Sequence, residues 1–405
     1  MNMKKTAFVI LLTVLFAFCS CNTEKSEIKS EPAENKETEY FKAVWLNYNE
    51  LSMSGAEPDE NVFRNKAQEI ISELSEHGFN RIIMQVRPFS DAFYNSEIFP
   101  SSRYLAGVQG GNVPFDALEI MLDEAHKRGI KLDAWINPYR VLYSIDINLL
   151  SENNPAKIFL NDESKQKNVV ITDNAVYYNP AKSEVKKLIV DGVREILDNY
   201  DVDGIHFDDY FYPPTDSGFD FGDYSVYVSE GGRLSLDDWR RENVSALISE
   251  IYSLVKSKNE NLIFSVSPMG NIDKDYNSCY ADIYKWCAEE GYIDYIIPQL
   301  YFGFENENMP YISTAEKWLE IERCKYVNIA FGLAFYKCGR EDTYAGTGSE
   351  EWINNENIIE RQIRYILSND KISGFCLYSY SYIFSENINE NCKKELQNAE
   401  SVIQY

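Results

Sequence analysis

From residue 42 onward, short runs of apolar residues alternate with longer stretches whose apolar positions recur every three or four residues. The first pattern is that of strands buried on both faces, the second that of helices with one buried stripe. The alternation predicts strands at 42–48, 81–87, 131–137, 204–210, 262–268, 295–301, 328–336 and 374–380. Between and after them it predicts helices near 61–77, 115–128, 183–199, 236–257, 279–290, 311–323, 353–367 and 387–402. Local signals agree with several boundaries. Pro114-Phe115-Asp116 opens the second helix, Lys127-Arg128 complements the dipole of its last turn, and Gly129 closes it. Gly78 ends the first helix and Gly291 the fifth. Strand and helix repeated eight times close most simply into an α/β (β/α)8 TIM barrel. A doubly wound open sheet is the alternative, and the chain lacks the Gly-rich phosphate loop that such sheets carry.

Two connections exceed what a link requires. Residues 140–182 follow the third strand and contain Val169 to Tyr178, which reads as a small hairpin turning at Asp173-Asn174. Residues 211–235 follow the fourth and are rich in Gly, Asp and Tyr. Both leave the carboxyl ends of strands, where barrels of this kind build their sites.

The first 40 residues break the pattern. Lys4-Lys5, an apolar stretch from Ala7 to Phe18 and the small-residue approach to Cys21 read as a signal segment over 1–21. The stretch is short for a membrane span. The residues before Cys21 resemble a lipobox, which makes Cys21 the expected lipidated amino terminus and places the protein outside the cytoplasm, anchored to an envelope membrane. Residues 22–40 are polar and charged and are expected to form a tether, leaving 41–405 for the barrel.

The formal net charge of −25 argues against a nucleic-acid partner, because neutralising phosphates takes clustered Lys and Arg. Six cysteines lie beyond the leader with no CxxC or Cys/His spacing, and there are three histidines in all, so neither a metal site nor any other cofactor is expected. Aromatic residues are abundant, with 29 Tyr, 22 Phe and 6 Trp, enough to fill a core and still cover sugar faces.

The chemistry concentrates at strand ends. Asp203-Gly204-Ile205-His206-Phe207-Asp208-Asp209-Tyr210 begins as a buried strand and finishes in carboxylates and a phenol, and Pro213-Pro214 then takes the chain out of the sheet. His206 and Asp208 share a face by the two-residue alternation. Other strands end in Trp45 and Asn47, in Gln85 and Arg87, in Trp135, Asn137, Tyr139 and Arg140, and in Gln299 and Tyr301. Acids and amides hydrogen-bond hydroxyls while rings cover sugar faces, so this inventory suits a deep cleft for a hydroxyl-rich ligand.

Trp135-Ile136-Asn137-Pro138-Tyr139-Arg140, the segment Asp203 to Pro213 and Ile297-Pro298-Gln299-Leu300-Tyr301 together resemble the glycosyl hydrolase-like 10 family over about residues 41–382. The resemblance implies a TIM barrel related to amylase-type glycosidases, a secreted or lipoprotein location, and hydrolysis of cell-wall glycan, peptidoglycan strands in particular. His206-Phe207-Asp208 is similar to the Arg-x-Asp of amylase-type enzymes, whose Asp is the nucleophile, with His in place of Arg.

Glycoside hydrolysis ordinarily uses two carboxyl groups. Asp208 is expected as nucleophile or charge stabiliser. Asp209, Asp282 and Glu305 are candidates for the other carboxyl, Asp209 first because of its position. The expected substrate contacts are Trp45, Asn47, Arg87, Trp135, Asn137, Tyr139, Arg140, His206, Tyr210, Gln299 and Tyr301. Arg87 and Arg140 either neutralise Asp208, hold a substrate carboxylate or form internal bridges. His206 either holds Asp208 or is a hydrogen-bonded barrel residue. Because the fifth strand ends Ser265-Val266-Ser267-Pro268 without a Glu, a non-catalytic glycan-binding lipoprotein is the alternative function. A metal-dependent hydrolase built on His206, Asp208 and Asp209 is disfavoured by the scarcity of histidine.

Overall fold

The computed structural model describes residues 40–53, 55, 57–208, 211–213, 218–385 and 388–404. Asp209, Tyr210 and Cys21 lie outside the described residues.

Eight parallel strands close into a barrel. In chain order they are Phe41–Leu46, Arg81–Arg87, Lys131–Ile136, Gly204–Asp208, Ile263–Ser267, Tyr295–Ile296, Asn328–Leu333 and Gly374–Leu377. Each pairs with its sequence neighbours, and the eighth closes on the first through Phe41 opposite Gly374. The TIM barrel is therefore correct strand for strand, although most strands end earlier than the hydropathy pattern extends. The sixth is shortest because Pro298 supplies no N–H to the ladder. Its path still continues through Ile297 N to Val266 O at 2.8 Å and Gln299 N to Pro268 O at 3.0 Å, which carries Gln299 to the barrel mouth.

Alternation divides the side chains into two cores. Val44, Leu46, Ile82, Met84, Ile205 and Phe207 face outward into the large cluster shared with the helices. Trp45, Ile83, Trp135, Ile297, Ala330 and Cys376 fill the inside of the barrel. The first helix, Glu60–Glu76, buries Phe63, Ala67, Ile70, Ile71 and Leu74 along one stripe and is capped by Asp59, which accepts the N–H of Val62. Full burial of each large apolar side chain in such a stripe contributes about 1.5–3 kcal/mol. The helix expected near 279–290 is only Ile283–Ala288, and that near 353–367 is split into Glu351–Asn354 and Ile358–Leu367.

The long excursion after the third strand folds as a small antiparallel sheet. Arg140–Leu142 pairs with Val176–Tyr178, which pairs in turn with Val169–Ile171, so the hairpin read around Asp173-Asn174 is present. That sheet fixes Arg140 opposite Tyr177, next to the barrel mouth. All six cysteines of the barrel are free thiols, and Cys376 is fully buried inside it.

Candidate active site

The carboxyl ends of the strands surround a pocket of about 310 Å³ lined by Trp45, Asn47, Gln85, Trp135, Arg140, Asp208, Gln299 and Tyr301, with Tyr48, Asn49, Tyr143, Ser267, Tyr336 and Tyr378 completing the wall. Each contributing strand sends its inward-facing, alternate residues to this end. Asp208 is the one carboxylate among the described lining residues.

Two amides hold it. Asn137 donates Nδ2–H to Asp208 Oδ2 at 2.9 Å, and Gln299 donates Nε2–H to Oδ1 at 3.2 Å. Donors on both oxygens favour the ionised form and fix one rotamer, which suits a nucleophile or charge stabiliser better than a proton donor. Asn137 Oδ1 accepts from Gln85 Nε2 at 2.6 Å and from Arg140 Nη2 at 2.7 Å. Arg140 is further held by Nε to the carbonyl of Pro88 at 2.6 Å and Nη1 to the Tyr143 hydroxyl at 2.7 Å. Its guanidinium lies 4.9 Å from the Phe89 ring centre and 4.8 Å from that of Tyr143.

Trp45 and Trp135 are both core and site: they fill the barrel interior and line the pocket. Gly332 makes room for Trp45, since a Cβ there would come within 2.8 Å of the indole. Beneath the floor, His206 is completely buried. Trp45 Nε1–H donates to His206 Nε2 at 3.3 Å, which requires that nitrogen to be unprotonated, so the ring proton sits on Nδ1 and is donated to Ser265 Oγ at 2.7 Å. Ser267 Oγ lies 3.1 Å from Nε2 as well. His206 is thus a hydrogen-bonded barrel residue that supports Trp45. Burial lowers its pKa to about 3, with the Asp208 charge opposing. The folded value lies below the unfolded one near 6.5, so the stability this ring contributes is present above about pH 6.5 and is lost as pH falls toward 3. Imidazole NMR signals of His206 are expected to show no titration between about pH 5 and 8; a midpoint near 6.5 would contradict this placement.

Some expected site residues are elsewhere. Arg87 does not approach Asp208. The pairing of the second strand with the third slips between Gln85 and Arg87, and this irregularity turns Arg87 outward although the alternation puts it on the same face as Gln85. It lies against Phe99, 4.5 Å from the ring centre, where a Cβ on Gly192 would clash with it. Burial lowers its pKa, and its Nη1 has no hydrogen-bond partner among the described residues. Tyr139 is buried in the outer core, outside the pocket, and its carbonyl accepts from Tyr178 N at 2.8 Å. Asp282 caps the helix Ile283–Ala288 through Lys285 N at 3.1 Å, and Glu305 lines a separate hollow with Glu350 and Glu351, so neither lines the pocket around Asp208.

Gln85, Tyr48, Tyr143, Tyr336 and Tyr378 belong to the pocket and were not among the expected contacts. Gln85 stood at a strand end beside the more conspicuous Arg87. Glu50 was also missed. It is a buried carboxyl just behind the wall that accepts from Asn47 N, Ser379 Oγ and Ser381 N, each at 2.6 Å, and ties the first strand's exit to the eighth's. Asn47 joins this knot by donating Nδ2–H to Ser379 Oγ at 3.2 Å.

An eight-stranded parallel barrel with an amide-held aspartate at the tip of its fourth strand defines a TIM barrel of the kind on which glycoside hydrolases are built. The glycosyl hydrolase-like 10 family model matches residues 40–346, and the chain belongs to that family. It is 33% identical over 348 residues to glycosyl hydrolase YngK of Bacillus subtilis, a match covering 80% of this chain and 66% of that protein. Against glycosyl hydrolase DigH of Escherichia coli K12 the identity is 28% over 423 residues, covering 95% of this chain and 94% of the relative. Among solved structures, the PgaB (BpsB) glycoside hydrolase domain of Bordetella bronchiseptica shares the fold, with a TM-score of 0.56 at 11% identity over 90% of this chain and 98% of that one. Alpha-L-fucosidase isoenzyme 2 of Paenibacillus thiaminolyticus shares it too, with a TM-score of 0.55 at 13% identity over 90% of this chain and 49% of that one.

Proposed function

We propose that this protein hydrolyses glycosidic bonds in extracytoplasmic polysaccharide, with the glycan strands of bacterial peptidoglycan as substrate. The observation that carries the reading is Asp208, held by Asn137 and Gln299 in an open pocket walled by amides and aromatic rings. A sugar ring seated against Trp45 and Trp135 would meet apolar indole carbon on that side and hydrogen-bonding groups around its rim, the division of labour that carbohydrate recognition requires. Asp208 acts on the anomeric carbon as nucleophile or stabilises the charge developing there. Asp209, the next residue along the chain, is our choice for the acid that protonates the leaving oxygen. Arg140 brings a positive charge to the wall of an otherwise acidic protein, which favours a glycan bearing carboxylates. The leader suits the same setting: lipidation at Cys21 and a tether over 22–40 would hold the barrel near the wall, and loss of membrane association in Cys21→Ser is the expected result.

Incubating the protein with purified peptidoglycan and measuring new reducing ends tests the hydrolytic reading. Release of reducing ends supports it. Cosedimentation with wall glycan without any product would favour a binding lipoprotein instead and overturn it.

A further inference from the structure

The orientation of a side-chain amide is set only by its partners, because its two ends have nearly the same shape. Around Asp208 those partners form a directed chain. The backbone N–H of Tyr48 can only donate, and it points at Gln85 Oε1 at 3.0 Å. Gln85 must therefore turn Nε2 toward Asn137, whose facing atom lies 2.6 Å away. The Arg140 guanidinium, which also only donates, reaches the same atom at 2.7 Å. That atom is consequently the oxygen, and Asn137 has only its NH2 left for Asp208. The opposite side is fixed in the same manner. Gln299 Nε2 lies 3.3 Å from the carbonyl oxygen of Ser267, which only accepts, and the same nitrogen faces Asp208 Oδ1.

We infer that Gln85 is a positioning residue for Asp208: it relays the polarity of the Tyr48 N–H through Asn137, so that a donor always faces the carboxylate. The inference rests on the reading of Asp208 as the reacting group. Gln85 itself is 1% exposed and both ends of its amide are occupied, so it has little left to offer a ligand. Its effect belongs in the turnover step, where a carboxylate held in one rotamer and one charge state reacts, and not in ground-state binding.

Two substitutions separate polarity from packing. Gln85→Glu keeps the shape and the acceptor for Tyr48 N–H but turns an oxygen toward Asn137 Oδ1, opposing the direction of the chain. Gln85→Met removes the donor and leaves Arg140 to orient Asn137 alone. The expected result on peptidoglycan is a kcat lowered about 10- to 100-fold in Gln85→Glu and about 2- to 5-fold in Gln85→Met, with KM within about 3-fold of native in both. Equal losses in the two variants, or a raised KM with kcat retained, would overturn the inference.

A second measurement needs no substrate. With selective 15N-asparagine labelling, the Asn137 side-chain amide signals are expected to shift on Asp208→Asn in the native background and to lose most of that shift in the Gln85→Glu background. If they respond equally in both, the relay is wrong whatever the protein cleaves. If the coupling is lost as expected while the native protein releases nothing from any glycan, the relay stands and the hydrolytic reading fails.

Discussion

Asp208→Asn is expected to lower turnover on cell-wall glycan by about 10³-fold or more while leaving glycan binding within a few-fold of native. The substitution keeps the size and planarity of the side chain, so Trp45, Trp135 and the amide wall should stay in place. It removes the charge to which Asn137 and Gln299 both donate, at 2.9 and 3.2 Å. It also puts an NH2 against one of those donors. An amide is a poor nucleophile and stabilises a developing oxocarbenium ion far less well than a carboxylate, so the loss falls on the chemical step. Steady-state kinetics paired with cosedimentation on insoluble wall glycan separates the two quantities. A variant that keeps more than a tenth of native turnover would remove Asp208 from the reaction.

Glu50→Ala should destabilise the folded barrel by about 3–5 kcal/mol, the largest stability effect we expect from a single polar side chain. Its carboxyl gathers Asn47 N, Ser379 Oγ and Ser381 N, each at 2.6 Å, and truncation takes the partner from two backbone donors, that of Asn47 buried and that of Ser381 partly so. Burial raises the Glu50 pKa, and the hydrogen bonds from Ser379, Ser381 and Asn47 oppose that rise. Chemical denaturation read by intrinsic fluorescence measures the change. Glu50→Gln, which preserves the volume and one acceptor, should lose clearly less than Glu50→Ala. Equal losses would mean that Glu50 stabilises by filling space.

The barrel was legible because a parallel sheet covered by helices forces its strands to be apolar on both faces, and that pattern needs no tertiary information to be seen. The carboxyl-end inventory was legible for the same reason, since alternation alone brings Trp45 with Asn47, Trp135 with Asn137, and His206 with Asp208 to one face. Alternation also explains the error at Arg87. The slipped register after Gln85 depends on how the second and third strands pair, and neither strand carries a local signal for it. Charge drew attention to the arginine that turns outward, and the neutral glutamine that turns inward was passed over. Asp282 stood among the candidates because a helix cap and a catalytic acid look alike in one dimension; the 3.1 Å bond to Lys285 N shows it capping a helix. Glu50 was invisible because its partners at Ser379 and Ser381 lie more than 300 residues away.

On the proposed function, the fourth strand delivers a reacting carboxylate to a glycan held at the barrel mouth, and water completes the cleavage. Mass spectrometry of products from a panel of defined peptidoglycan strands, digested in 18O-enriched water, measures both the cleavage and the origin of the new oxygen. One 18O atom is expected at each new reducing end with the native protein, and no such products with Asp208→Asn. Products without the label, or the same labelled products from Asp208→Asn, would contradict the proposed function.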